Sequence, residues 1–266
     1  MGAAYATIVD LASAIDLSEL AQLATPVNAG DVQLTTDRPV SLAAGACLLV
    51  GYRGQVGETA TVSAVSSDGT SVTLAGPLMQ THPAGTWLLD ATPFPSVLEA
   101  ASRLVDQLTY TPAGGWAFAD RVTVTRGAKV GRDGTTMVSL DHTPVQQVHA
   151  VTVQASPLEP VWDIPASQVW WDDEAYVVAV HLGDLSELLA LRPVRMTITY
   201  SGGYTADEMP ADIKRATAIL AARLWKEKDS GYSDVIGNTD FGLLQYTQAA
   251  PKDVLAMLQP RRRVGV

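Results

Sequence analysis

Residues 194–200 (VRMTITY) alternate apolar and polar side chains, break at Gly202-Gly203, and give way at Pro210 to the strongest helical pattern in the chain. A period of two passing into a period of 3.6 within a dozen residues calls for strands and helices in one α+β fold. From Pro210 onward, Ile213, Ala216, Leu220 and Leu224 share one helical face, with Thr217 and Ala221 beside them and Ala218 and Ala222 further round. Lys226 and Lys228 suit the negative end of the helix dipole, and Gly231 suits a terminator. So many small side chains let another backbone approach closely, either within the chain's own core or from a neighbouring subunit.

Upstream, residues 5–24 read as helical, with Ile8, Leu11, Ala12 and Ile15 near a 3.6-residue period and a second short helix carrying Leu20 and Leu23. From Val27 to Leu89 the signal changes to short alternating strands split by Gly, Asp and Pro, the spacing of a small closed or nearly closed β-barrel. A helix resumes from about Pro95 to Leu108, with Leu98, Ala101, Val105 and Leu108 on its apolar stripe. A second run of strands spans roughly 122–200, turning at Asp133-Gly134, with a short helical excursion at 184–191. Residues 232–250 lack periodicity and read as an extended arm. A brief helix over 251–258 follows and is stopped by Pro260. The fold class is therefore α+β, a small helical domain with a β-sandwich-like region and an inserted small β-barrel. The predicted domain spans 1–25 and 94–266, including a C-terminal arm over 232–266, and the insertion spans 26–93.

The balance of charge restricts the partners. The net charge is −10, yet residues 1–204 hold 20 acidic and 9 basic side chains (−11) while residues 205–266 hold 8 and 9 (+1), ending near Arg261-Arg262-Arg263. Phosphate binding draws its affinity from clustered Lys and Arg, so an acidic body is not built to wrap DNA. Charged residues make up only 17% of the chain, which leaves much uncharged surface for neighbouring subunits to cover, or simply a monomer rich in Ala, Thr and Gly. Cys47 is the only cysteine, so no intrachain disulfide forms and a zinc cluster is not expected. The opening MGAAYATIVDLASAID has no basic stretch leading an apolar run, and no segment has the apolar length of a membrane span.

Candidate chemistry is sparse. His82, His142, His149 and His181 are dispersed, and none has the spacing of a zinc-protease helix. There is no Gly-x-Ser-x-Gly elbow and no phosphate loop. Asp172-Asp173-Glu174 could hold Ca²⁺ but lacks alternating ligand spacing, and it reads rather as a solvated hairpin turn. Trp162, Trp170 and Trp171 could form an aromatic platform for a sugar; adjacent tryptophans on a strand face opposite ways, so one is expected inside and one at an edge. Arg261-Arg262-Arg263 suits a phosphate backbone or an acidic surface on a partner. The expectation is a protein without catalytic residues, cofactor or metal.

Several stretches resemble a known family. Residues 139–153 (SLDHTPVQQVHAVTV) are similar to the strand–Pro-Val–strand signature of bacteriophage head-to-tail connector (adaptor) proteins. So are residues 198–204 (ITYSGGY), followed by MPADIKRA and a long Ala/Leu helix. Residues 251–266 (PKDVLAMLQPRRRVGV) resemble the family's short helix and arginine-ended tail, and residues 98–106 (LEAASRLVD) its earlier helix. The resemblance covers 1–25 and 94–266; the 27–89 segment departs from the compact family pattern. It implies a homo-oligomeric ring, twelvefold, stacked below the portal protein of a tailed phage and meeting the tail or a stopper protein. DNA would pass through an acidic lumen without sequence-specific binding and with no membrane involved. The location implied is the virion's head–tail junction, after assembly in the host bacterial cytoplasm. The portal-facing residues expected on this basis are Tyr246, Lys252, Val254, Leu255, Leu258, Arg261, Arg262 and Arg263, with Pro210, Ile213, Leu220 and Leu224 forming the scaffold helix. The alternatives are a tail terminator or stopper of the phage neck and, in a different class, a carbohydrate-binding or hydrolytic β protein.

Overall fold

The computed structural model describes residues 4–171, 176–229, 235–236, 245–246 and 250–263. It is a mixed α+β structure of two compact units. One gathers residues 6–102 and 214–254, the other 1–5, 103–213 and 255–266.

The first unit opens on helix α1 (Ile8–Ala14), started by a reciprocal cap in which Thr7 Oγ1 accepts from the Asp10 amide and the Asp10 carboxylate accepts from Thr7. Strands β1 (Ala21–Gln22), β2 (Gln33–Thr35), β3 (Cys47–Val50), β4 (Glu58–Val65), β5 (Ser71–Leu74) and β6 (Trp87–Asp90) form a sheet in the order β1-β6-β3-β4-β5-β2. Its two ends are joined. The Ala24 amide donates to the Thr35 carbonyl at 2.8 Å, and the Asp37 amide to the Gln22 carbonyl at 2.9 Å, so the sheet curls into a small barrel. Leu34, Leu48, Val50, Val62, Val72, Leu74 and Leu88 fill it.

The second short helix expected around Leu20 and Leu23 is corrected: this stretch is β1 and its flank. Ala21 and Leu23 are 0% and 2% exposed on either side of an outward Gln22, and that period of two, with β6 and β2 to bond to, outweighs local helix preference. A second polar feature locks the barrel. His82 Nε2 lies 2.8 Å from Glu58 Oε1, and Glu58 also accepts from the Met79 and Gln80 amides. Helix α2 (Phe94–Thr109) follows β6; Leu98, Ala101 and Val105 are buried on its stripe.

The second unit is a sandwich of two sheets. Strands β7 (Ala119–Lys129), β8 (Thr135–Ser139), β9 (Val145–Gln154), β10 (Trp162–Asp163), β11 (Val169–Trp170), β12 (Val177–His181) and β13 (Pro193–Gly202) divide into β10-β9-β13-β7 and β11-β12-β8. Every pairing is antiparallel. Val124, Val151, Val153, Met196 and Ile198 from the first sheet meet Val138, Val169, Val178 and Val180 from the second in one core. Between β12 and β13, a 3-10 turn (Gly183–Leu185) leads into helix α3 (Ser186–Leu189), the excursion expected there.

Helix α4 (Ala211–Asp229) begins directly after Pro210 and buries Ile213, Ala216, Thr217, Ala218, Leu220, Ala221 and Ala222; Leu224 is half-buried. Trp225 meets Phe94 edge-to-face at 5.0 Å. Two short strands, β14 (Val235–Ile236) and β15 (Gln245–Tyr246), pair with each other inside the expected arm. The remainder of 230–249 lies outside the described residues. Helix α5 (Lys252–Leu258) passes into a 3-10 turn over Gln259–Arg261, so Pro260 tightens the helix end and does not stop the chain's winding.

Candidate functional site

Parts of three of the segments singled out in the sequence, residues 139–145, 198–204 and 261–263, come together in the sandwich unit. Tyr200 on β13 alternates inward and is fully buried, and its hydroxyl accepts from the amides of Asp141 (3.0 Å) and His142 (2.9 Å). Burial pushes the Tyr200 phenol up, which keeps it neutral as that acceptor. The Thr143–Pro144 peptide is cis. Gly203 donates to the Pro144 carbonyl, Thr143 to the Gly115 carbonyl, and Tyr204 to the Trp116 carbonyl, each at 2.8 Å. His142 Nδ1 lies 3.0 Å from the Ala117 carbonyl. Two glycines permit this closeness. A Cβ on Gly203 (φ +90°) would stand 2.1 Å from the Ala117 carbonyl oxygen, and one on Gly115 would stand 2.5 Å from that of Asp141.

The arginine run closes over this cluster. The Arg263 amide donates to the Thr109 carbonyl (2.9 Å), and its guanidinium donates to the Leu140 and Asp141 carbonyls (2.8 Å each). The same guanidinium lies over the Tyr176 ring, 4.8 Å from its centre. Burial lowers the Arg263 pKa, opposed by the Asp141 carboxylate, while its Nε is buried without a partner among the described residues. Arg262 donates to the Leu108 carbonyl at 3.1 Å and lies over Tyr110, and Arg261 pairs with Asp212 at 2.9 Å. Beneath, the buried Tyr5 hydroxyl donates to Asp106, which also accepts from the Gly114 amide and faces Arg103 at 3.8 Å. Burial raises the Asp106 carboxyl, although those donors and Arg103 pull it down.

Chemically this is a socket for a guanidinium, with planar carbonyl acceptors matched to a planar fork. It presents neither an activated nucleophile nor a base poised on one. Val254 and Leu258 are fully buried, Leu255 and Arg261 half-buried, and Lys252 and Arg262 exposed. Tyr246 lies on β15, paired with Val235. What the sequence reading missed are the acceptors, the Leu140 and Asp141 carbonyls, and the Tyr5–Asp106 pair, because backbone oxygens and long-range partners leave no residue pattern. The nearest legible signal was the Thr143-Pro144 dipeptide.

Ser201 Oγ donates to Asp120 Oδ1 and contacts His149 Nε2, each at 2.7 Å. The serine sits between acid and imidazole, so the carboxylate does not orient the histidine, as a nucleophilic triad needs. A cleft of about 440 Å³ in the barrel unit is lined by Val9, Ile15, Tyr52, Arg53 and Lys226 among others, with Arg53 paired to Asp16 and Glu19. Trp170 is 52% exposed, while Trp162 and Trp171 are partly buried against the sandwich core. Asp172-Asp173-Glu174 lies outside the described residues. Among the described residues no group of three His, Cys, Asp or Glu could hold a metal, and no helix is long and apolar enough to cross a membrane.

No family model and no curated protein matches the sequence. Among solved structures, part of the chain is similar to a chain in the neck of a native gene transfer agent (GTA) particle computed with C12 symmetry. The likeness is 20% identical over 65% of this chain and 84% of that one, with a TM-score of 0.40. A chain of the native GTA virion gives 21%, 65%, 78% and 0.40 in the same order. A likeness to the tailspike protein gp49 of Pseudomonas phage LKA1 (22% identity, TM-score 0.25) covers 29% of this chain and only 15% of that one. These scores fall short of a shared overall fold and carry no conclusion about function.

Proposed function

We propose that the chain is a structural, non-catalytic subunit of the neck of a tailed bacteriophage. In this reading it is a head-to-tail connector whose copies form a ring, twelvefold on the family pattern, between the portal protein and the tail or stopper. The observation that carries the reading is convergence. Parts of the stretches 139–153, 198–204 and 251–266 through which the sequence resembles connectors, namely residues 139–145, 198–204 and 261–263, lie far apart in the chain yet are bonded into one cluster. A resemblance scattered by chance has no reason to gather in space. The acidic body supports a channel role, since a negative lumen repels phosphate and lets DNA slide. On this reading the portal-facing surface draws on Tyr246 and on Lys252, Leu255 and Arg262 outside the buried residues, and the protein resides in the virion after assembly in the host cytoplasm.

The test is negative-stain imaging of the purified protein, alone and mixed with portal-bearing heads. Rings seated on the portal vertex are expected. Rings that bind only free tails would point to a terminator or stopper. Monomers that bind glycans and never decorate heads would overturn the neck reading.

A further inference from the structure

The four-stranded sheet β10-β9-β13-β7 has two free edges, and they are unlike. Strand β7 runs for eleven residues with β13 as its only strand neighbour among the described residues, so half of its backbone groups face outward. At its far end the Lys129 carbonyl accepts from the Thr136 hydroxyl, and residues 123, 125, 126 and 127 are exposed. Its cations are Arg121, Arg126, Lys129 and, just past it, Arg132, against one acid, Asp120. Arg126 is paired with Asp141; among the described residues Lys129 and Arg132 have no ion pair. The opposite edge is acidic and greasy. Residues 155–163 hold Glu159, ion-paired to Arg192 of the same copy at 2.9 Å, and Asp163, with no base of their own, and Leu158 and Val161 are 97% and 57% exposed.

Strand direction fits one edge to the other. Each neighbouring pair in the sheet is antiparallel, so four strands in the order β10-β9-β13-β7 alternate in direction. A second copy laid beside the first in the same orientation brings its β10 antiparallel to the first copy's β7. The registers Asp163↔Thr152, Thr152↔Thr197 and Thr197↔Thr125 define one row across the sheet. Continued straight across the seam, that row sets Asp163 of one copy against Thr125 of the next. It also brings Val161 against Gly127, with the turn at 156–159 beyond it on the side of Lys129.

We infer that the two edges are the two halves of the contact between copies, with β7 of one copy receiving residues 161–163 of the next as an added strand. The inference deepens the ring reading and rests on it. The contact is head-to-tail, using different surfaces on the two copies, which is the kind that closes into a ring or extends into a filament. It covers Val161, brings Asp163 and the Glu159–Arg192 pair beside the basic edge of β7, and gives partners to some of the outward amides of β7.

The experiment replaces the lone thiol (Cys47→Ser) and introduces Gly127→Cys or Val161→Cys. Both sites tolerate the change, since a Cβ on Gly127 meets no atom within 4 Å and Val161 is exposed. On mild oxidation a mixture of the two variants should form a disulfide-linked dimer containing one of each, and the chain carrying both cysteines a ladder of multimers, with and without portal-bearing heads. Each variant alone should give less than about a tenth of that yield. In a second arm, Lys129→Glu with Arg132→Glu should weaken self-association at least about tenfold, read by sedimentation, and adding Glu159→Lys should recover part of it; charge pairs at an interface rim are worth this much only when several act together. Rings seen by imaging without these cross-links, or cross-links formed equally by Gly127→Cys alone, overturn the edge contact and leave the ring reading standing. Absence of assembly both alone and on heads removes the ring reading and this contact with it.

Discussion

Arg263 exchanges water for two carbonyl oxygens and an aromatic face, and a planar, permanently charged fork is the side chain suited to that exchange. Hydrogen bonds from a charged donor are worth about 1.5–3 kcal/mol each in context, less the cost of burying the charge. Arg263→Ala is therefore expected to lower the unfolding free energy by about 2–3 kcal/mol in urea titrations. Arg263→Lys should recover less than half of that, because one ammonium cannot span both carbonyls. Glu58 gives a prediction in pH. Burial alone would raise its carboxyl, but the Met79 and Gln80 amides and the His82 ring hold it below its ordinary 4.5. A depressed acid contributes stability that is present above the unfolded value and lost as pH falls through the folded one. The difference in unfolding free energy between wild type and Glu58→Gln should thus be constant above about pH 5 and shrink below about 4.5. A difference that stays constant down to about pH 3 would show that the carboxylate is not held this way. Asp106, raised by burial, acts in the opposite sense, and comparison with the single variant removes it from the result.

At the scale of elements, strand β1 is two residues long yet joins the barrel's ends, since it pairs with β6 on one side and its flanks bond to β2 on the other. A fragment of residues 26–92 lacks it, leaving β6 and β2 as raw edges; a fragment of residues 17–92 keeps it. The longer fragment is expected to melt cooperatively by circular dichroism and the shorter one to lack a transition. Two equally cooperative melts would show that closure is not what stabilises the barrel. Long elements were legible in the sequence for a physical reason. Helices α2 and α4 and strands β9 and β13 each repeat one period over ten or more residues, and the apolar stripe must be buried wherever the chain goes. β1 was not legible, because two residues carry no period and Leu20 and Leu23 fit a helix as well as a strand. The candidate site was half legible: Arg261–Arg263 and the Pro144 and Gly203 turns stand out as residue types. Their meeting does not, because the carbonyls of Leu140, Asp141 and Thr109 that receive Arg263 belong to no motif, and a basic run read without them looks like a free tail.

For the molecule as a whole, that difference changes what the charge can do. Residues 1–100 hold nine acids and two bases, and the net charge of −10 leaves local cations to supply any attraction to DNA. Arg261, Arg262 and Arg263 are already engaged, with Asp212, the Leu108 carbonyl and Tyr110, and the Leu140–Asp141 carbonyls. Freeing them for phosphate would break those bonds in a field that is repulsive elsewhere. The expectation is that duplex DNA labelled with a fluorophore shows no rise in anisotropy with the protein between 50 and 200 mM salt, and that removing residues 260–266 leaves this unchanged while lowering the unfolding midpoint. The salt dependence supplies the counter-test. Each phosphate contact adds about −0.9 to the slope of log affinity against log salt, so three arginines acting as a DNA tail would give a slope near −2.7 that disappears with the deletion. Binding with that slope would mean the run leaves its socket to meet DNA; an unchanged baseline with a lower midpoint means it holds the sandwich unit together.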